Sequence, residues 1–282
     1  MKTAIAPLVA ALAVAAAATA GGAGANGSPF SPGLVHGWDG VLARSGDVRY
    51  VTLDTPRFTA VAALRVRDGR VLRSRALRGS YGVPLVAYDG TAGGLSGDGT
   101  RLVLASYGPP PGGPGTTRFV VLSASTLGLR RLIVLDGSWS FDAIAPDGST
   151  LYLTEHVSAG RNPVYRVRTF DVPTGILRGA IVDRLEGEEE MGGEPVTRAS
   201  SADGRWAYTL YARRQDEPFV HALDTARREA FCIDLPLRLG YDAQWALRLK
   251  LDEPSEALSV RLRRGTLATI DTGSWKVERG TS

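Results

Sequence analysis

Over residues 245–251 and again over 258–263 the chain alternates strictly. Trp245, Leu247, Leu249 and Leu251 interleave with Ala246, Arg248 and Lys250, and Leu258, Val260 and Leu262 interleave with Ser259, Arg261 and Arg263. A period of two places one set on a covered face and the other toward solvent, which marks β-strands. The stretch 141–154 adds a turn: an apolar run, Pro146-Asp147-Gly148, then a second strand with Leu151 and Leu153 on one face. Asp-Gly between apolar runs signals a hairpin, because the turn that fits strand twist needs positive φ, which glycine adopts freely. Related turns recur at Gly46-Asp47, Gly97-Asp98-Gly99 and Ala202-Asp203-Gly204. They predict second strands over 48–54, 101–107, 150–156 and 206–213. Outer pairs follow at 62–67 with 70–76, 118–123 with 129–135, 165–170 with 176–182, and 220–223 with 229–233. No amphipathic helix interrupts them.

An aromatic-Asp-small tripeptide recurs on the same scale: Trp38-Asp39-Gly40, Tyr88-Asp89-Gly90, Phe141-Asp142-Ala143 and Tyr241-Asp242-Ala243, with aspartates 50, 53 and 100 residues apart. The last gap is two periods. A repeat of 40–50 all-β residues is the signature of propeller blades. The expected fold is therefore all-β, a β-propeller of about five four-stranded blades between residues 40 and 280. Ala145-Pro146-Asp147-Gly148-Ser149-Thr150-Leu151-Tyr152 and Ser201-Ala202-Asp203-Gly204 resemble the hairpin of WD-like, TolB-type and YVTN-type bacterial propeller repeats, and Thr269-Ile270-Asp271-Thr272-Gly273 resembles their later strand pair. The resemblance spans residues 38–277 and implies the fold. It says little of function, since such propellers serve as scaffolds, binding modules and enzymes.

Composition changes the picture mainly at the N-terminus. Lys2, an apolar run from Leu8 to Ala18 and Ala18-Thr19-Ala20 read as a secretory signal peptide over 1–20, too short to span a membrane comfortably. A Gly/Ala/Ser/Pro-rich leader covers 21–35 and the propeller domain 36–282. Loss of residues 1–20 removes Lys2 alone, leaving 32 Lys+Arg against 29 Asp+Glu. That charge is spread over many segments and argues against a nucleic-acid footprint. Cys232 has no partner for a disulfide and reads as a small buried hydrophobe. The expectation is a secreted monomer of the envelope or extracellular space, without a membrane span in the mature chain.

Candidate chemistry gathers where loops lead into the first strands. On a propeller, Asp39, Asp89, Asp142 and Asp242 would sit near one rim as a quasi-ring, with Tyr81, Trp139, Phe141, Tyr241 and Trp245 beside them. Converging carboxylates suit a hard cation or the acid and base of glycoside hydrolysis. Their recurrence in four units instead suits a structural role, each aspartate bonding its own loop amides. His156 ends a second strand beside the same rim. The acidic run 186–194 lacks the alternating pattern of a calcium loop, and three dispersed histidines give no zinc spacing. No phosphate loop, dinucleotide fingerprint or nucleophile elbow is present, so no cofactor and no metal are expected. The reading is a non-enzymatic binding or scaffold module for an envelope protein or a carbohydrate, with a glycosidase-like hydrolase using rim carboxylates as the alternative.

Overall fold

The computed structural model of the protein describes residues 40–54, 57–158 and 163–280. Asp39, the segment 1–20 and the leader 21–35 lie outside the described residues. Five sheets follow one another along the chain, each an antiparallel meander in sequence order. Blade 1 holds β1 (Val41–Leu42), β2 (Val48–Asp54), β3 (Phe58–Arg65) and β4 (Val71–Arg78); blade 2 holds β5 (Arg101–Ala105), β6 (Thr116–Ser123) and β7 (Leu129–Asp136). Blade 3 holds β8 (Trp139–Ile144), β9 (Thr150–Ser158), β10 (Val164–Asp171) and β11 (Ile176–Ala180), with β12 (Met191–Gly192) paired onto β10. Blade 4 holds β13 (Glu194–Ser200), β14 (Trp206–Ala212), β15 (Phe219–Asp224) and β16 (Glu229–Asp234). A short helix, α1 (Tyr241–Gln244), leads into blade 5: β17 (Leu247–Asp252), β18 (Ala257–Leu262), β19 (Gly265–Asp271) and β20 (Val277–Arg279). The chain is a β-propeller.

Apolar clusters sit between consecutive blades. Val61 and Tyr50 of blade 1 pack on Leu102 and Leu104 of blade 2, and Val103 and Phe119 of blade 2 pack on Phe141 and Leu153 of blade 3. Tyr152 of blade 3 meets Ala207 and Leu223 of blade 4, and Leu210 and Val220 of blade 4 meet Leu247 and Val260 of blade 5. Middle blades are thus covered on both faces, so β6 carries five successive buried residues, Phe119 to Ser123. Each large apolar side chain of that run contributes about 1.5–3 kcal/mol by leaving water. Among the described residues the outermost blades are covered on one face only. Leu247 is buried while Arg248 and Lys250 are exposed, and Val61 is buried while Phe58 is 51% exposed. That is why period-two alternation is clearest in blade 5. Among the described residues no apolar cluster joins blade 5 to blade 1.

Blade 2 departs from the expected four strands. Its innermost strand is split: Gly82 bridges Ala105, Leu95 bridges Leu102, and residues 84–93 leave the sheet as a small hairpin closed by the Leu85–Ala92 bridge. The hairpin tip docks elsewhere, the Tyr88 and Asp89 amides donating to the carbonyls of Pro195 (2.9 Å) and Val196 (3.1 Å) on β13. The Tyr88 ring packs against Trp245 at 5.1 Å. Residues of blade 2 therefore reach across to the inner strand of blade 4 and to the start of blade 5.

Candidate functional site: an axial cavity around a buried ion pair

The inner edges of blades 1 to 4 border a solvent-open cavity of about 290 Å³, lined by Arg44, Thr91, Asp142, Arg198, Ser200 and Trp206 among others. Three turns close in around it. The Asp98 amide donates to the Pro146 carbonyl at 2.8 Å, and a Cβ on Gly97 would lie 2.5 Å from the Asp203 carbonyl oxygen. Only glycine fits where the turns of blades 2, 3 and 4 meet.

Asp142 is central because of a bulge. In the β8–β9 ladder Phe141 pairs with Leu153 and Ala143 with Tyr152, so Asp142 is the extra residue. A bulge re-aims a side chain while the strand continues. The carboxylate here turns toward blade 4, where Arg198 donates from Nη2 to Asp142 Oδ1 and from Nη1 to the Asp142 carbonyl. Arg198 Nε donates to Thr209 Oγ1 at 2.9 Å. Both side chains are buried, at 5% and 4% exposure. Asp142 Oδ2 is buried without a hydrogen-bond partner, and Asp142 borders both the axial cavity and a smaller one of about 30 Å³.

The smaller cavity brings in His156. Its Nε2 lies 2.9 Å from Ser140 Oγ, its Nδ1 has no partner, and burial lowers its pKa to about 4. Tyr165 and Tyr211 complete the wall, and burial raises both phenols well above their ordinary value, with the Asp142 charge adding to the shift. Tyr165 donates to the Gly193 carbonyl at 3.0 Å. At working pH the histidine and both tyrosines are neutral. The charged groups at the axis are Asp142, Arg198 and the exposed Arg44.

The expected quasi-ring does not form among the described aspartates. Asp89 sits on the hairpin tip and not at a strand start, exposed, with Oδ1 accepting from the Thr91 amide (3.0 Å) and Thr91 Oγ1 (2.6 Å). Asp242 lies exposed in the first turn of α1, since the strand begins only at Leu247. Asp142 is bonded to another blade and not to its own loop. The same tripeptide thus occupies a hairpin tip, a bulge and a helix, because backbone context rather than sequence decides where its carboxylate points. Tyr81 and Trp139 are buried between blades and not on the cavity wall. The Tyr81 amide donates to Thr59 Oγ1, and Trp139 Nε1 donates to the Asp136 carbonyl at 2.8 Å under the Arg168 guanidinium. Tyr241 packs edge-on to Trp245 beneath Arg214. Of the residues singled out in sequence, the structure unites Asp142, His156 and Phe141.

Arg198 and Ser140 escaped the sequence reading. The one available signal was a cation in a strand otherwise suited to burial, Val196-Thr197-Arg198-Ala199. In the acidic run, Glu190 pairs with Arg166 at 2.5 Å, and among the described residues no three His, Cys, Asp or Glu side chains are arranged to hold a metal.

No protein-family model matches the chain, and no curated protein matches it in sequence. Solved structures do match. A functionally unknown protein from Desulfotomaculum acetoxidans DSM 771 superposes with TM-score 0.53 and 13% identity, over 86% of this chain and 68% of its own. At that identity the likeness is one of fold. Looser matches include TolB from Acinetobacter baumannii (TM-score 0.41, 12% identity, 86% of this chain, 53% of that one) and BamB from Moraxella catarrhalis (0.44, 14%, 86% and 64%).

Proposed function

We propose that the chain is a secreted, non-enzymatic propeller of the cell envelope or extracellular space that binds a partner protein at its axis. The observation that carries this reading is the state of Asp142. Among the described residues it is the single carboxylate bordering the axial cavity, it is already paired with Arg198, and its second oxygen still lacks a donor. Glycoside hydrolysis uses two carboxyl groups flanking the bond, and the described cavity wall offers one. A buried acceptor without a partner instead favours a group that donates, such as an ammonium or hydroxyl. At about 290 Å³ the cavity is at the lower limit of the roughly 300–1,000 Å³ typical of small-molecule sites, which suits a side chain or chain terminus of a larger partner.

The test is to present the mature protein with arrays of lysine-bearing and amino-terminal peptides, neutral oligosaccharides and a panel of aryl glycosides. Saturable peptide binding without turnover is expected. Release of an aryl group that disappears in Asp142→Asn would replace this reading with the hydrolase.

A further inference from the structure

The outward face of blade 5 carries a second, unrelated feature. Arg248 and Arg261 stand directly opposite each other in the β17–β18 ladder, and Lys250 is next on the same face, opposite Ser259. Directly opposed Cβ atoms lie about 5 Å apart and every second residue along a strand about 7 Å, so three cations share a small patch. Like charges in that position are destabilising. The turn that joins β18 to β19 adds Arg263 and Arg264, both exposed. That turn has two residues, and Arg263 occupies its first position at φ +55°, a conformation that glycine adopts far more readily.

Among the described residues none of these five cations makes an ion pair. Arg248 is satisfied by carbonyls, those of Trp245 (3.0 Å) and Leu247 (2.7 Å). Carboxylates on the same face are spoken for: at its far end Asp252 accepts from Ser255 and Asp271 from its own turn, and Glu278, opposite Thr269 in the ladder, pairs with Lys276. Arg261 Nη2 reaches the Arg264 carbonyl at 3.4 Å, and among the described residues the sheet thus holds an opposed arginine pair and an arginine turn with no internal counter-charge for either.

We propose that this face binds a linear polyanionic glycan, one bearing sulfate, phosphate or carboxylate groups at regular spacing. Charge selects an anion. The surroundings select the glycan. Ser259, Thr266 and Thr269 lie among the cations in the ladder and supply hydroxyls for a sugar ring, while no aromatic on β17 to β19 offers bases a stacking platform. No exposed large hydrophobic lies on blade 5 to enter a bilayer. This inference is independent of the axial cavity, since none of the five cations borders it.

Heparin serves as the probe, titrated against the mature protein with fluorescence or calorimetric detection across a salt series. Arg248→Gln/Lys250→Gln/Arg261→Gln is expected to weaken heparin at least tenfold and to flatten the salt dependence. Arg263→Gly is expected to weaken it severalfold while leaving the melting temperature equal or higher, which a purely structural arginine would not do. The control Arg118→Gln/Arg130→Gln removes two exposed arginines elsewhere and should leave affinity within twofold. Equal weakening by the control overturns the proposal, showing only the general attraction of a basic protein. Tighter binding to phosphatidylglycerol vesicles or to duplex DNA than to heparin, lost in the same triple variant, also overturns it in favour of that partner.

Discussion

Arg198→Met leaves the Asp142 carboxylate buried without its counter-charge, and the cost follows from what the guanidinium does. It neutralises Oδ1, bonds the Asp142 carbonyl and holds Thr209 Oγ1, all at 5% exposure. Breaking one side of a buried, hydrogen-bonded pair typically costs about 3–5 kcal/mol. For a domain of this size each kcal/mol moves Tm by roughly 2–4 °C, so the fall should be of order 10 °C. Asp142→Leu, which strands the arginine instead, should cost a similar amount. The double variant Asp142→Leu/Arg198→Met contains no stranded charge and should recover most of the loss, because an apolar pair of similar volume replaces a buried ion pair at little cost. Urea unfolding of all four proteins measures the coupling directly, with about 2 kcal/mol or more expected between the two sites. Single variants within about 1 kcal/mol of the parent, or a double variant that loses the sum of the singles, would refute the claim that this pair is buried and mutually dependent.

Three further outcomes follow. Gly148 sits at φ +71°, and a Cβ there would lie 2.4 Å from Arg101 Cγ, so Gly148→Val should destabilise by about 1–3 kcal/mol; an unchanged Tm counts against the hairpin geometry. Burial holds His156 at about 4 against an ordinary 6.5, so the unfolded chain binds more protons between those values. Its contribution, roughly 3 kcal/mol, is complete above about pH 6.5 and lost as pH falls toward 4, and His156→Phe should flatten the stability profile in that window. Buried His221 is shifted the same way by burial and leaves a residual slope. Secreted protein is expected to begin at Gly21, and mass spectrometry finding residues 1–20 retained would contradict the cleavage reading.

The fold was legible because its devices are local. Asp147-Gly148 and Asp203-Gly204 set their turns through backbone conformation alone, and both glycines have positive φ. The second strand over 48–54 falls on β2 as read, and the others differ by one or two residues where pairing frays. The site was less legible because its devices are relational. Nothing in Tyr88-Asp89-Gly90 distinguishes a strand start from a hairpin tip; that depends on Pro195 and Val196, more than a hundred residues away, offering carbonyls. The single-residue bulge at Asp142 is equally silent in sequence, since it is a property of the ladder with β9 and not of the strand. Arg198 looked like any other arginine in an arginine-rich chain until blade 4 placed it opposite that bulge. Trp139 and Tyr81 read as rim aromatics on spacing alone, whereas packing between blades is what their area serves.

Ligand binding at the axis is tested most directly by filling the cavity without touching the ion pair. Ser200 borders the cavity and is exposed, so Ser200→Trp can place an indole where the bound group would sit. Saturation-transfer NMR on a peptide retrieved from the array compares parent and variant, with far-UV and near-UV circular dichroism confirming that both are folded. The parent should transfer saturation to the ammonium-bearing side chain or terminus, and the folded variant should transfer none. Equal transfer to both proteins would place the peptide elsewhere on the propeller and remove the axial cavity from its function.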